Sequence, residues 1–201
     1  GLQPGDKIAL MMPNLLQYPI ALYGAFRAGL VVVNTNPLYT PREMKHQFND
    51  SGVKAVVIAE NFAANLAEIL KETEIKTVIT TSIGELLGIP KRWIVNFVVR
   101  TIKGMVPKYD IPNTVNFTEA ISQGRKFKLP EFESHPDDVV ALQYTGGTTG
   151  VAKGAELTNQ NLIANMQQAR SLLMQIDASG KPIKPEGGAK VVAPLPLYHI
   201  Y

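Results

Sequence analysis

Short apolar runs alternate with longer amphipathic stretches from Lys7 to Thr80. Residues 7–11 read as a strand, and an apolar-rich helix follows over about 15–28, with Gly29 as its C′ stop. Pro19 sits awkwardly if Asn14 caps that helix, so an irregular first turn is expected. Residues 30–34 form a second strand. Thr40, Pro41 and Glu43 then supply an N-cap, a proline at N1 and a capping-box acid at N3, opening a helix that Gly52 ends. Residues 54–59 read as strand, 61–72 as helix and 77–80 as strand. Apolar runs of this length alternating with helices imply parallel pairing through right-handed crossovers. The expected fold class is therefore α/β, a doubly wound, largely parallel sheet with flanking helices.

The same pattern returns late in the chain. Val139, Val140, Ala141 and Leu142 make another buried-strand run. Thr158 caps a helix over 159 to about 174, and residues 190–193 read as a strand leading into Pro194. In open parallel sheets the ligand crevice lies beyond the carboxyl ends of the strands. A strand at 190–193 beside 139–144 would open residue 199 and the loop after 144 on the same side.

Residues 86–109 break this rhythm. They hold Lys91, Arg92, Arg100, Lys103 and Lys108 with no acid, in a chain whose net charge is only +3, so the remainder is net acidic. On a helix, Arg92, Asn96, Arg100 and Lys103 share a stripe, with Ile94, Val98, Ile102 and Met105 opposite and Trp93 and Phe97 at the edge. This basic amphipathic insertion has two open readings. It lies on an anionic bilayer, with Trp93 near the headgroups and the bases over lipid phosphates, or it packs on the core and leaves a solvated basic edge. Nucleic acid is the poorer match, because stacking aromatics are not interleaved with the bases.

Composition removes several alternatives. The 201 residues suffice for one sizeable domain, and the absence of cysteine excludes disulfides and thiolate metal sites. His46, His135 and His199 are too scattered for a zinc site, and His46 and His135 are expected to be structural or solvated. The longest uncharged stretch, residues 8–26, is divided by Pro13, Asn14, Gln17 and Pro19, so it is not a membrane span.

Chemistry concentrates in one loop: Tyr144, Thr145, Gly146, Gly147, Thr148, Thr149, Gly150, Val151, Ala152, Lys153, Gly154 and Ala155. Glycines let backbone N–H groups press against phosphate oxygens, threonine hydroxyls add rotatable donors, and Lys153 supplies a compact charge for the β/γ end of a triphosphate. A Walker A loop places Lys directly after its last Gly, whereas Val151 and Ala152 intervene here, and no G-x-G-x-x-G occurs. A polar hairpin turn is the bland alternative. Three glycines, three threonines and a lysine within nine residues, behind a buried strand, weigh against it.

This stretch resembles the phosphate-binding signature of the adenylate-forming enzymes, and Gly-Val-Ala-Lys-Gly-Ala looks most like bacterial long-chain fatty-acyl-CoA ligases; many members have Pro where this chain has Ala152. Pro194-Leu195-Pro196-Leu197-Tyr198-His199 is similar to the family's next motif. Met12-Pro13-Asn14 and Asn36-Pro37-Leu38-Tyr39-Thr40-Pro41 also look like this group. The resemblance implies that the chain is an incomplete N-terminal AMP-binding region over 1–201, with the small C-terminal domain absent and the slice inactive alone.

It further implies attack of a fatty-acid carboxylate on the α-phosphorus of ATP, release of pyrophosphate, and displacement of AMP from the acyl-adenylate by CoA. Residues 144–155 would hold the nucleotide, Lys153 would neutralise phosphate charge with Mg2+ sharing it, and His199 would orient the carboxylate or gate the acyl tunnel. No metal ligand is assigned within the chain. The implied partners are a long-chain fatty acid, ATP and CoA, with an anionic membrane surface at 86–109 and a homodimer left open. The implied location is cytoplasmic, with a peripheral position on the inner face of the cell membrane left open. Two rivals stay open: another adenylate-forming enzyme, such as an aryl-CoA ligase or amino-acid-activating domain, and a non-catalytic α/β module holding nucleotide or lipid.

Overall fold

The computed structural model describes residues 1–129, 131–145, 152–173, 178–180 and 192–199. Among them, seven strands form one sheet in the order β5-β4-β3-β1-β2-β6-β7. These are β1 (Lys7–Met11), β2 (Val31–Asn34), β3 (Val53–Ala59), β4 (Thr77–Thr81), β5 (Val115–Asn116), β6 (Val139–Thr145) and β7 (Lys153–Thr158). Every pair is parallel except β6 with β7, an antiparallel edge hairpin. The chain reverses its winding at β1, which lies between β2 and β3.

Alternation along the strands explains the two covered faces. Ala9, Met11, Val33, Val56 and Ile58 point to one side, where Met44 and Phe48 of α2 (Pro41–Ser51) and Leu66 of α3 (Ala63–Ile69) cover them. Ile8, Leu10, Val32 and Val57 point to the other, against Tyr18 and Ala25 of α1 (Gln17–Arg27) and Phe117 of α5 (Phe117–Gly124). Leu10, Met11, Val32, Val33 and Ile58 are fully buried, and each such side chain is worth about 1.5–3 kcal/mol relative to exposure. Strands buried on both faces need continuous apolar runs, which is how the sequence reads. The expected doubly wound α/β class is the one found.

Helix boundaries follow local chemistry. Thr40 Oγ1 accepts from the Glu43 amide at 3.4 Å while Glu43 Oε2 accepts from the Thr40 amide at 2.8 Å, the reciprocal cap expected from the sequence. Gly52 ends α2 in the left-handed region at φ 69°. α1 starts at Gln17 rather than 15, because Asn14 spends its side chain on the backbone of 193–197 instead of capping. Pro19 then falls within the first turn, where its missing N–H is harmless. The helix expected over 61–72 is divided into a 3-10 turn at Glu60–Phe62, α3 and a second 3-10 turn at Leu70–Glu72. Thr158 and Asn161 cap α6 (Asn159–Leu173) reciprocally, at 2.9 and 3.3 Å.

Two expectations need correction. Val192 and Ala193, the described part of the strand expected at 190–193, are irregular, since the Ala193 carbonyl accepts from the Asn14 side chain. The insertion over 86–109 is helical only as α4 (Lys91–Phe97) and a π turn at Val98–Ile102, and its polar stripe meets the protein through Asn96 and Arg100. Asn96 accepts from the Gly84 amide at 2.9 Å and donates to Ser82 Oγ at 3.0 Å, while the Arg100 guanidinium grips the buried Glu60 carboxylate. Trp93, Ile94, Phe97, Ile102 and Met105 are exposed. A buried carboxylate without a partner costs several kcal/mol, so the Arg100 head group is held at Glu60, while Lys103 and most of the apolar stripe stay exposed. No helix among the described residues is long and apolar enough to cross a membrane.

Candidate functional site

The glycine loop joins the two strands of the edge hairpin, with Thr145 paired to Lys153 across its base. Gly146, Gly147, Thr148, Thr149, Gly150 and Val151 lie outside the described residues. Tyr144 faces Gly154 across the hairpin, and a Cβ on Gly154 would stand 3.0 Å from the tyrosine ring, so the position after Lys153 admits no side chain without moving Tyr144. Thr145, Lys153 and Ala155 are exposed.

One helix grips both legs. The Tyr144 hydroxyl donates to Asp50 Oδ2 at 2.5 Å, and His46 Nε2 lies 3.2 Å from the Ala152 carbonyl, to which its N–H form donates. His46 and Asp50 are four apart and share a face of α2. His46 is therefore a half-buried contact of the loop base rather than a solvated residue, whereas His135 is exposed. Burial first, and the bond to Asp50 second, push the Tyr144 hydroxyl well above the usual tyrosine range.

The 192–199 segment lies across the carboxyl ends of β1, β2 and β6. Asn14, just past β1, donates to the Ala193 and Leu195 carbonyls at 3.1 and 2.8 Å and accepts from the Leu197 amide at 2.8 Å. The Tyr18 hydroxyl sits 2.6 Å from Asn34 Oδ1 and 2.8 Å from the Leu197 carbonyl, so one proton serves two acceptors. Asn34 Nδ2 donates to Gln143 Oε1 at 3.0 Å, and Gln143 Nε2 donates to the Tyr198 carbonyl at 3.2 Å. Burial raises the Tyr18 hydroxyl above its ordinary range, which keeps it a donor. The exposed His199 ends this segment, its amide bonded to the Pro196 carbonyl at 3.0 Å. Hairpin legs and His199 segment thus meet at the carboxyl edge through Gln143, two residues before Thr145. The AMP-binding enzyme family matches residues 1–201, the whole chain.

The chain belongs to the AMP-binding enzyme family. It is 50% identical over 201 residues to the long-chain-fatty-acid–CoA ligase of Escherichia coli O6:H1, covering all of this chain and 35% of that protein. The Bacillus subtilis ligase of the same name is 32% identical over 205 residues, again covering all of this chain and 34% of its own length. The chain thus spans about a third of the relatives it matches. Among solved structures, a long-chain-fatty-acid-CoA ligase from Archaeoglobus fulgidus superposes with a TM-score of 0.63 at 25% identity, over 84% of this chain and 28% of that one.

In the sequence Asn14 stands out as a candidate helix cap and as part of Met12-Pro13-Asn14, whereas Tyr18, Asn34 and Gln143 belong to no motif. Their signal is polarity out of place: Asn34 ends Val31-Val32-Val33, and Gln143 interrupts Leu142 and Tyr144. An amide inside an apolar strand needs partners: Gln143 finds one in the Tyr198 carbonyl, and Asn34 finds Tyr18 and Gln143.

Proposed function

We propose that this AMP-binding chain is the phosphate-holding part of a ligase that activates a long-chain fatty acid with ATP and passes it to CoA. The observation that carries this reading is the meeting of the hairpin legs and the His199 segment at the carboxyl ends of β1, β2 and β6, in a chain half identical to such ligases. A carboxylate is a poor acyl donor because its oxide leaves badly. Its oxygen attacks the α-phosphorus, the bond to the bridging oxygen breaks, and pyrophosphate carries the electron pair away. The CoA thiolate then attacks the acyl carbon and AMP departs.

Charge grows on the α-phosphate and the leaving pyrophosphate, so fixed donors aimed there accelerate the step. Residues 144–155 supply them in this reading: backbone amides and hydroxyls of the loop, with the Lys153 ammonium at the β/γ end. His199 orients the incoming carboxylate. Among the described residues no three acidic, histidine or cysteine side chains cluster where they could hold a metal ion.

The same reading names a surface. Residues 91–108 expose Trp93, Ile94, Phe97, Ile102 and Met105 and also Lys91, Lys103 and Lys108, a combination suited to an anionic lipid surface on the cytoplasmic side. W93S/F97S in the full-length protein should weaken binding to phosphatidylglycerol vesicles at least fivefold; equal binding removes the membrane role. A second copy of the chain is the competing occupant, and a mutant that instead changes sedimentation would favour it.

Pyrophosphate exchange by the full-length protein tests the substrate. Exchange that depends on palmitate and not on benzoate or amino acids supports the proposal. Dependence on benzoate or an amino acid moves the protein to an aryl-CoA ligase or amino-acid-activating enzyme, and no exchange with any acid favours a binding module.

A further inference from the structure

We infer that Gln143 is a positioning residue for His199, joining the strand that enters the glycine loop to the segment that carries the histidine. The inference rests on the function proposed above, but the contacts stand without it. Gln143 is 4% exposed and sits on β6 two residues before Thr145. Its amide N–H reaches the Tyr198 carbonyl at 3.2 Å, on the peptide unit that bears His199, and its oxygen accepts from Asn34 at 3.0 Å. Asn34 in turn meets the Tyr18 hydroxyl, which also reaches the Leu197 carbonyl. Tyr18 is 2% exposed.

Two neighbouring carbonyls of one segment are thus tied to the sheet by buried side chains from α1 and β6, with Asn34 of β2 bridging them. Buried amides held at both ends have no slack, because releasing either end leaves a desolvated polar group. The segment has no strand pairing at Val192 and Ala193, so these side chains do the work a ladder would do. Geometry therefore passes from β6 to His199 through Gln143: whatever fixes the loop base also fixes the histidine. Catalysis that joins a carboxylate to an α-phosphate depends on holding both reactants to within a fraction of an ångström. A rigid link between the two grips meets that demand.

The test is a double-mutant cycle in the full-length protein, read as palmitate-dependent pyrophosphate exchange. Gln143→Leu should lower kcat at least tenfold in the wild-type background, with the KM for ATP changed less than threefold. In an H199A background the same substitution should cost less than twofold, because its effect runs through the histidine. A loss of equal size in both backgrounds marks a general structural role and overturns the inference, as does a loss below twofold in the wild type. A second measurement does not depend on the proposed activity. Amide hydrogen exchange of a peptide covering 193–199 should speed up at least tenfold in both Gln143→Leu and Gln143→Glu, the latter placing a carboxylate oxygen against the Tyr198 carbonyl. Unchanged exchange overturns the link. Faster exchange in a protein that shows no exchange of pyrophosphate leaves the link standing and sinks the ligase reading instead.

Discussion

Replacing Tyr144 by Phe removes one hydroxyl from the base of the glycine loop and nothing else. Tyr144 is 6% exposed and its hydroxyl donates to Asp50 at 2.5 Å. Hydrogen bonds to charged groups contribute about 1.5–3 kcal/mol, and the exposed Asp50 recovers water when the donor goes, so Y144F should lose about 1.5 kcal/mol near pH 8. The loss should depend on pH in a defined direction. Burial, then the bond to Asp50, raises the folded-state pKa of Tyr144 above the unfolded value of 10.0. The stabilisation is therefore complete below pH 10 and falls as pH rises towards the folded value, since the unfolded chain ionises and the folded one resists. Each pH unit above 10 costs the wild type about 1.4 kcal/mol that Y144F does not lose. The gap should close near pH 11. Urea unfolding of the two full-length proteins at pH 8 and pH 11 measures it directly, because the other tyrosines cancel in the difference. A gap that stays constant across that range would refute both the burial and the Asp50 contact.

Thr40→Ala should destabilise the protein by about 1 kcal/mol through loss of the α2 cap, measured by urea unfolding; no change would mean the cap is not formed. The Thr40 hydroxyl and amide hold the Glu43 carboxyl below its usual range, so the stability this gives is present at neutral pH and lost on acidification, and T40A should show the shallower acid limb. Arg100→Ala should cost about 1–3 kcal/mol, discounted from a fully buried pair because the guanidinium is half exposed. Adding Glu60→Gln should restore part of that loss, and a double mutant no better than R100A would show that Glu60 does not hold the π turn.

The sheet was legible because its strands are buried on both faces, which leaves runs such as Val31-Val32-Val33 and Val56-Val57-Ile58 with little else to be. The α2 boundaries were legible too, since a capping box and a left-handed glycine are local chemistry. What escaped was set by distant partners. The 91–102 segment reads as amphipathic, yet its polar side meets the protein through distant partners, Asn96 at Gly84 and Ser82 and Arg100 at Glu60, forty residues earlier in the chain. β7 is an exposed edge strand without a clear apolar alternation, and it forms because β6 offers it a ladder. At the candidate site the glycines, threonines and Lys153 announce phosphate chemistry by composition alone. The amides that fasten the His199 segment do not, because an isolated Asn or Gln carries no pattern until its partner is known.

The most direct measurement is pyrophosphate exchange by the full-length protein with palmitate and saturating ATP, compared between wild type and Lys153→Ala. The account predicts palmitate-dependent exchange in the wild type and a rate at least tenfold lower in K153A, a barrier increase of about 1.4 kcal/mol or more. A wild type that ignores palmitate, or a K153A rate within twofold of it, would contradict the claim that this loop grips the triphosphate of a fatty-acid-activating enzyme.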